Sequence, residues 1–200
     1  LSKFGGLVKW SLLRHKFYIP VFVVVQIVLS FAVIYGFLFI THSTNQAEKS
    51  YLCTGAMAIN VIAVTCVLAP QIVSEAKQNG VYEYQKTLPV SRVEILLSDL
   101  LIWGLLCLPG ILSSILISTF GFGLDVSIGI NSILSVLLII FSLLLVGFAI
   151  AYILPSNVVP LVTQLIMIGG LLFSPIIYAA DRLPSWTITL YKYLPFVPAS

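Results

Sequence analysis

Charge is scarce in this chain. Ten lysines and arginines and seven aspartates and glutamates are spread over 200 residues, whereas about a quarter of residues are charged in ordinary soluble domains. So little charge cannot cover a surface that faces water, and a soluble globular fold is excluded. The formal net charge of +3 is not gathered into a basic face, which argues against a nucleic-acid partner. Cysteine is also sparse. Cys53, Cys66 and Cys107 lie in or beside apolar runs with no CxxC, so they read as small buried hydrophobes and build neither a disulfide framework nor a metal site. His15 and His42 stand at opposite ends of one apolar run, which as a helix would place them on opposite sides of a membrane. HExxH, GxSxG and a pair of carboxylates within an apolar run are all missing. An intramembrane protease or lipid-modifying enzyme would therefore lack its nucleophile or metal. GxxxxGK[ST] is missing as well, so the chain has no phosphate loop with which to hydrolyse ATP. No catalytic residue, metal or directly bound cofactor is expected.

What the chain has is grease in long runs. Sixty per cent of its residues are hydrophobic and its mean hydropathy is +1.10. A helix needs about 20 apolar residues to cross the hydrocarbon core, and the runs predict five spans, at 17–41, 51–73, 93–120, 132–154 and 158–177. The expected fold is an all-α, polytopic membrane protein forming one domain. The first run is longer than a signal-peptide core, so no cleaved signal is expected. Residues 1–16, "LSKFGGLVKWSLLRHK", put Phe4, Leu7, Val8, Ser11 and Leu12 on one helical face. That suits a helix lying in the headgroup region with Trp10 at the interface; a solvated lead-in to the first span is the other reading. Pro70 is expected to kink the second span, and Pro109-Gly110 to break or bend the third. With the N-terminus inside, Lys3, Lys9, Arg14, Lys16, Lys77, Lys86 and Arg92 are cytoplasmic, and only Lys49, Arg182 and Lys192 lie outside. That bias sets the orientation.

The most polar stretch, "EAKQNGVYEYQKTLPVSRVEI" (Glu75 to Ile95), then faces the cytosol. Asn79-Gly80 signals a turn or a helix start. Val81, Tyr84 and Leu88 follow at i, i+3 and i+7 and predict one apolar face on a short helix, flanked by Glu83 and Lys86. Pro89 should end that helix. Ser91 and Glu94 have the spacing of a capping box at the head of the next span. A short amphipathic helix held between two spans is a shape that docks into a partner's groove, although the same residues could form a solvated loop that merely fixes topology.

The spacing E-x-x-x-x-G-x-x-E-x-x-x-T-L-P-V-S-R-x-E-I, from Glu75 to Ile95, resembles the connector between the second and third spans of ABC-2-type transporter permeases. The stretch "FSPIIYAADRLPSWTITLYKYLPFVPAS" is similar to the broken helical element on the outer side of that family. The resemblance implies a type V exporter-like fold with an N-terminal interfacial helix, six spans and an outer re-entrant element. Five spans are visible, and the sixth is expected after Ser200. It also implies that the segment 75–92 is a coupling helix region contacting an ABC ATPase subunit through Val81, Glu83, Tyr84, Lys86 and Leu88. The element 174–198 would form an outer gate that includes Pro175, Leu183, Pro184, Trp186 and Tyr191, built as two short helices. ATP and Mg would be held by the partner subunit, and a second permease copy or homologue would complete a dimer in a bacterial plasma membrane. The chain departs from the family pattern at "LLSDLL", where Asp99 stands near a position that is often basic.

Polar residues inside spans either line a path or bond neighbouring helices. Gln26, Asn60 and Gln164 are the leading path candidates, with Ser30, Thr65, Ser113, Ser114 and Thr163 beside them. Asp99 lies two turns past Arg92, at headgroup depth, and is expected to pair with a base or face water. The scarcity of charge in the spans argues against a small, strongly charged ion as cargo, and for a lipid, a peptide or an amphipathic drug. The rival reading is an accessory or immunity-type membrane protein that binds a partner and moves nothing.

Overall fold

A run of twenty apolar residues away from water has to satisfy its backbone within the segment, and a helix does that. The computed structural model describes residues 2–41, 46–124 and 129–173, and all their regular structure is helical. The helices are α1 (Ser2–His15), α2 (Tyr18–Thr41), α3 (Gln46–Ile62), α4 (Ala69–Gln78), α5 (Val81–Thr87), α6 (Arg92–Leu116), α7 (Ile130–Ile153) and α8 (Val159–Phe173). A π-helical stretch, Ala63–Leu68, joins α3 to α4, and a second, Ile117–Gly121, extends α6. Among the described residues, four stretches are long and apolar enough to cross a membrane: Tyr18–Gly36, Glu48–Gln78, Arg92–Gly121 and Ile130–Ile153. The described part of α8 is apolar but shorter. The expected outer element, with Pro175, Leu183, Pro184, Trp186 and Tyr191, lies outside the described residues.

Two local expectations change. The second long helix starts at Gln46, before its apolar run, with Glu48 in the first turn where the helix dipole favours an acid. Pro109 sits inside α6 and does not break it. A regular helix would pair Leu106 C=O with Gly110 N–H. Here Gln26 of α2 engages both, its Nε2 donating to Leu106 O at 2.8 Å and its Oε1 accepting from Gly110 N at 2.9 Å. A side-chain amide has entered the ladder beside the proline and holds it together. The hydrogen-bond pattern also changes just before Pro70. Ala69 N–H bonds Val64 O, an i→i−5 pattern, and continuing that pattern would need an N–H at position 70, which proline lacks. The Thr65 carbonyl is thus left without its helical donor.

Helices α2, α3 and α6 pack on one another; α7 lies against α4, α6 and the first π stretch; α8 lies against α4 and that stretch; α1 lies on α6. Trp103, Ile34, Ile102, Ile140 and Leu144 are the largest apolar side chains fully enclosed. Polarity runs inside out. On α2, Gln26 and Ser30 are buried while Val21, Val24, Val25, Val28 and Phe31 are exposed. A helix that hides its amide and shows its valines has an apolar solvent, the bilayer. Two glycines permit close approaches. A Cβ at Gly110 would stand 2.8 Å from Asn60 Cβ and 2.6 Å from Gln26 Oε1, and one at Gly147 of α7 would run into the Thr65 carbonyl.

Candidate partner-docking surface

The polar connector is built by local rules. Gly80 takes a left-handed conformation (φ 74°), which glycine adopts without penalty, and it turns the chain from α4 into α5. Helix α5 lasts seven residues, and Leu88 is already extended (ψ 142°), as a residue before proline prefers. The expected capping box closes the connector: Glu94 N donates to Ser91 Oγ at 3.1 Å and Ser91 N donates to Glu94 Oε2 at 2.8 Å.

Helix α5 turns Gln85 inward and leaves Tyr84, of the face read from Val81, Tyr84 and Leu88, on the outside. Gln85 is its buried residue, and Leu88 has left the helix. Tyr82 packs on Tyr152 at the end of α7, with ring centroids 5.7 Å apart, and Lys77 Nζ donates to Tyr152 O at 3.2 Å. Tyr84 points outward, 56% exposed, and its only described ring partner is Trp10 of α1 at 6.3 Å. Glu83 and Lys86 pair at 2.7 Å on the exposed flank. Between α1 and the connector lies an apolar cleft of about 280 Å³, rimmed by Trp10, Tyr84, Leu88 and Pro89.

Beneath this surface α1 is latched to α6. Ser11 Oγ donates to Asp99 Oδ1 at 2.8 Å, and the Arg14 guanidinium lies 3.6 Å from the same oxygen. Asp99 thus pairs with a base, as expected, though in a buried setting. Arg14 also covers the Trp10 ring at 4.9 Å. His15 is buried edge-on to Trp103, centroids 5.5 Å apart, with Nδ1 2.8 Å from Ser11 O. Burial, and next the Arg14 charge, hold the His15 imidazole below its ordinary value. A cavity of about 10 Å³, bordered by Arg14, Lys77, Gln85, Asp99 and Tyr152, is large enough for a single water.

A sequence model of the ABC-2 type transporter family matches residues 9–199. The chain belongs to that family. No curated protein and no solved structure matches it. As an ABC-2 permease it is a membrane-embedded, multi-pass component of an ABC transporter, the transmembrane part and not the ATPase.

Inside the permease, two of the three leading path residues meet. Asn60 Nδ2 donates to Ser30 Oγ at 2.9 Å, and Ser30 lies one turn from Gln26. Ser113 and Ser114 join them, with oxygens 2.6 and 3.2 Å from Ser30 Oγ. Asn60 Oδ1 is buried and without a partner among the described residues. These side chains cross-link α2, α3 and α6. Gln164 is elsewhere, exposed on α8; its neighbour Thr163 is the buried one, accepting from Gln71 Nε2 at 2.8 Å. Thr65 is also buried, its hydroxyl bonded to Val61 O at 2.7 Å. Sequence reasoning missed the Ser11–Arg14–His15–Asp99 latch. Its signal was present as a serine, a base and a histidine at helical spacing in α1 and one acid within an apolar run.

Proposed function

We propose that this permease is the membrane-spanning subunit of an ATP-driven exporter and that α5 is its coupling helix. The observation that carries the reading is the exposed Tyr84 beside half-buried Trp10 over an apolar cleft, in a connector closed by a capping box. An aromatic anchor beside a pocket is the usual centre of a protein interface, and Glu83 supplies an exposed charge for orientation. The N-terminus and connector face the cytosol, α1 lies in the headgroup region, and the ATPase partner holds ATP and Mg. A second permease copy or homologue completes the dimer in the cell membrane. The cargo is a lipid, a peptide or an amphipathic drug. A cleft of about 220 Å³ between α3, α6 and α7, apolar except for Tyr51 and Thr54, supports that chemistry.

Co-purification from the native host, followed by ATPase measurement, tests the reading. Tyr84→Ala should weaken capture of the ATPase by roughly thirtyfold, about 2 kcal/mol, as for the loss of an interface anchor. Glu83→Arg should weaken it at least as much through like-charge repulsion. Neither should alter membrane insertion, because the Glu83–Lys86 pair is exposed and contributes little to folding. Full assembly of both variants would reduce the connector to a solvated loop. The orientation is tested separately. A cysteine at position 79 should react with an impermeant thiol reagent only from the cytosolic side; labelling from outside alone would reverse the topology and remove the coupling role.

A further inference from the structure

A further pocket, of about 320 Å³, opens where α5 meets the first turns of α6 and the last turn of α7. Its walls include Tyr82, Lys86, Arg92, Ile95, Leu96 and Tyr152. Arg92, Ile95 and Leu96 are spaced i, i+3 and i+4, so one face of α6 carries a cation a turn away from two aliphatic side chains. Arg92 is the first residue of a stretch long and apolar enough to cross a membrane, and a charge at the end of such a stretch belongs at the lipid headgroups. It has no hydrogen bond or ion pair with any described residue. The nearby acid, Glu94, lies two residues on, a spacing that does not face Arg92 around the helix, and its Oε2 accepts from Ser91 N. Lys86 Nζ stands over the Tyr82 ring at 4.6 Å and meets Glu83 only on the exposed side, a pairing that competes weakly.

We propose that this pocket binds an anionic phospholipid, its phosphate held by Arg92 and Lys86. The two tyrosines stand at glycerol level, and Ile95 and Leu96 lie against the first methylenes. A free anion would use the cations and leave the aliphatic floor facing water. An acidic side chain of a soluble partner has no tail to follow α6 into the hydrocarbon. Lipid chemistry matches both halves of the pocket. The assignment to the cytoplasmic leaflet rests on the topology proposed above; the binding itself does not.

The test uses the full chain in neutral detergent, titrated with phosphatidylglycerol or phosphatidylcholine and read by native mass spectrometry. Phosphatidylglycerol should be retained in preference to phosphatidylcholine. Arg92→Gln should lower its occupancy about fivefold, and adding Lys86→Gln about fivefold again, the weight of one basic residue each at a membrane surface. Ile95→Trp, which fills the pocket and keeps both cations, should abolish retention, and Lys9→Gln on α1 should change nothing. Equal retention of the two lipids, or undiminished binding by Arg92→Gln, would overturn the proposal. So would displacement by inorganic phosphate at the lipid's concentration, which would assign the site to a free anion. A loss of ATPase capture in Arg92→Gln with lipid binding intact would assign it to a protein. The assay needs neither ATPase nor transport, so its failure leaves the exporter reading standing, and the reverse holds too.

Discussion

Gly147→Ala should abolish the folded permease, or lower its stability by more than about 3 kcal/mol, at or beyond the upper end for overpacking a core. The added methyl would strike the Thr65 carbonyl, and a backbone oxygen cannot rotate aside as a side chain can. Moving it would mean rebuilding the π-helical stretch that ends just before Pro70. Gly104→Ala in α6 is the control, because its methyl would meet only Ile140 Cγ2, at 3.9 Å. It should be neutral or stabilising by a few tenths to about 1 kcal/mol, the ordinary gain of alanine over glycine in a helix. Thermal unfolding in detergent, followed by size-exclusion fluorescence, separates the two. Equal melting of both variants would show that α7 does not seat on that carbonyl.

Asp99→Ala should release α1 from α6. It leaves Arg14 without its ion pair and Ser11 without its acceptor. Breaking a buried pair costs about 3–5 kcal/mol, and the lower end applies because the Arg14 side chain keeps 21% of its exposure. A cysteine at position 7, where Leu7 is buried, reports the release through faster reaction with a maleimide. Asp99→Asn, which keeps an acceptor for Ser11, should fall between. The same probe should respond to acid. His15 is held below its ordinary value of 6.5 by burial, whereas in a detached α1 it would titrate normally. The detached state therefore binds the extra proton first, and docking weakens as pH falls below 6.5. It is fully retained above that pH. His15→Gln should flatten the response, and an unchanged slope in that variant would remove the histidine from the latch.

Chain order explains which features could be read from sequence. The Ser91–Glu94 box, the turn at Gly80 and the stop before Pro89 each depend on neighbours within four residues, and all three stand as expected. The i, i+3, i+7 pattern from Val81 runs past the helix end at Thr87, so Leu88 stands on extended chain while Tyr84 stays on the helix. The survival of α6 through Pro109 depends on Gln26, some eighty residues away in sequence. The latch joins Ser11 to Asp99 over a similar distance. Nothing local marks such pairs. In α8 the polar neighbours Thr163 and Gln164 differ by one residue, about 100° around a helix, and only packing decides which of them is enclosed.

The Gln26 amide also bears on which parts can move. Sliding or rolling α2 on α6 would part the two hydrogen bonds between the Gln26 side chain and the α6 backbone in a medium that offers no water to replace them. Those two helices are therefore joined by a tie that is costly to part. Helix α7 is fastened differently: among the described residues its polar ties to α4 cluster at one end, where Tyr152 O accepts from Lys77 and Ser156, just beyond the helix, donates to Ser74 O. Along its length it meets the first π stretch through Leu143, Leu144 and Gly147, with Gly147 seated on the Thr65 carbonyl and Cys66 Sγ near Leu143 O. Its hydrogen bonds to α4 meet at Tyr152 and the residues just past it, at the end of the helix nearest the connector. The ring packed on Tyr152 is Tyr82, so whatever α5 docks against touches that same end of α7 through one aromatic contact.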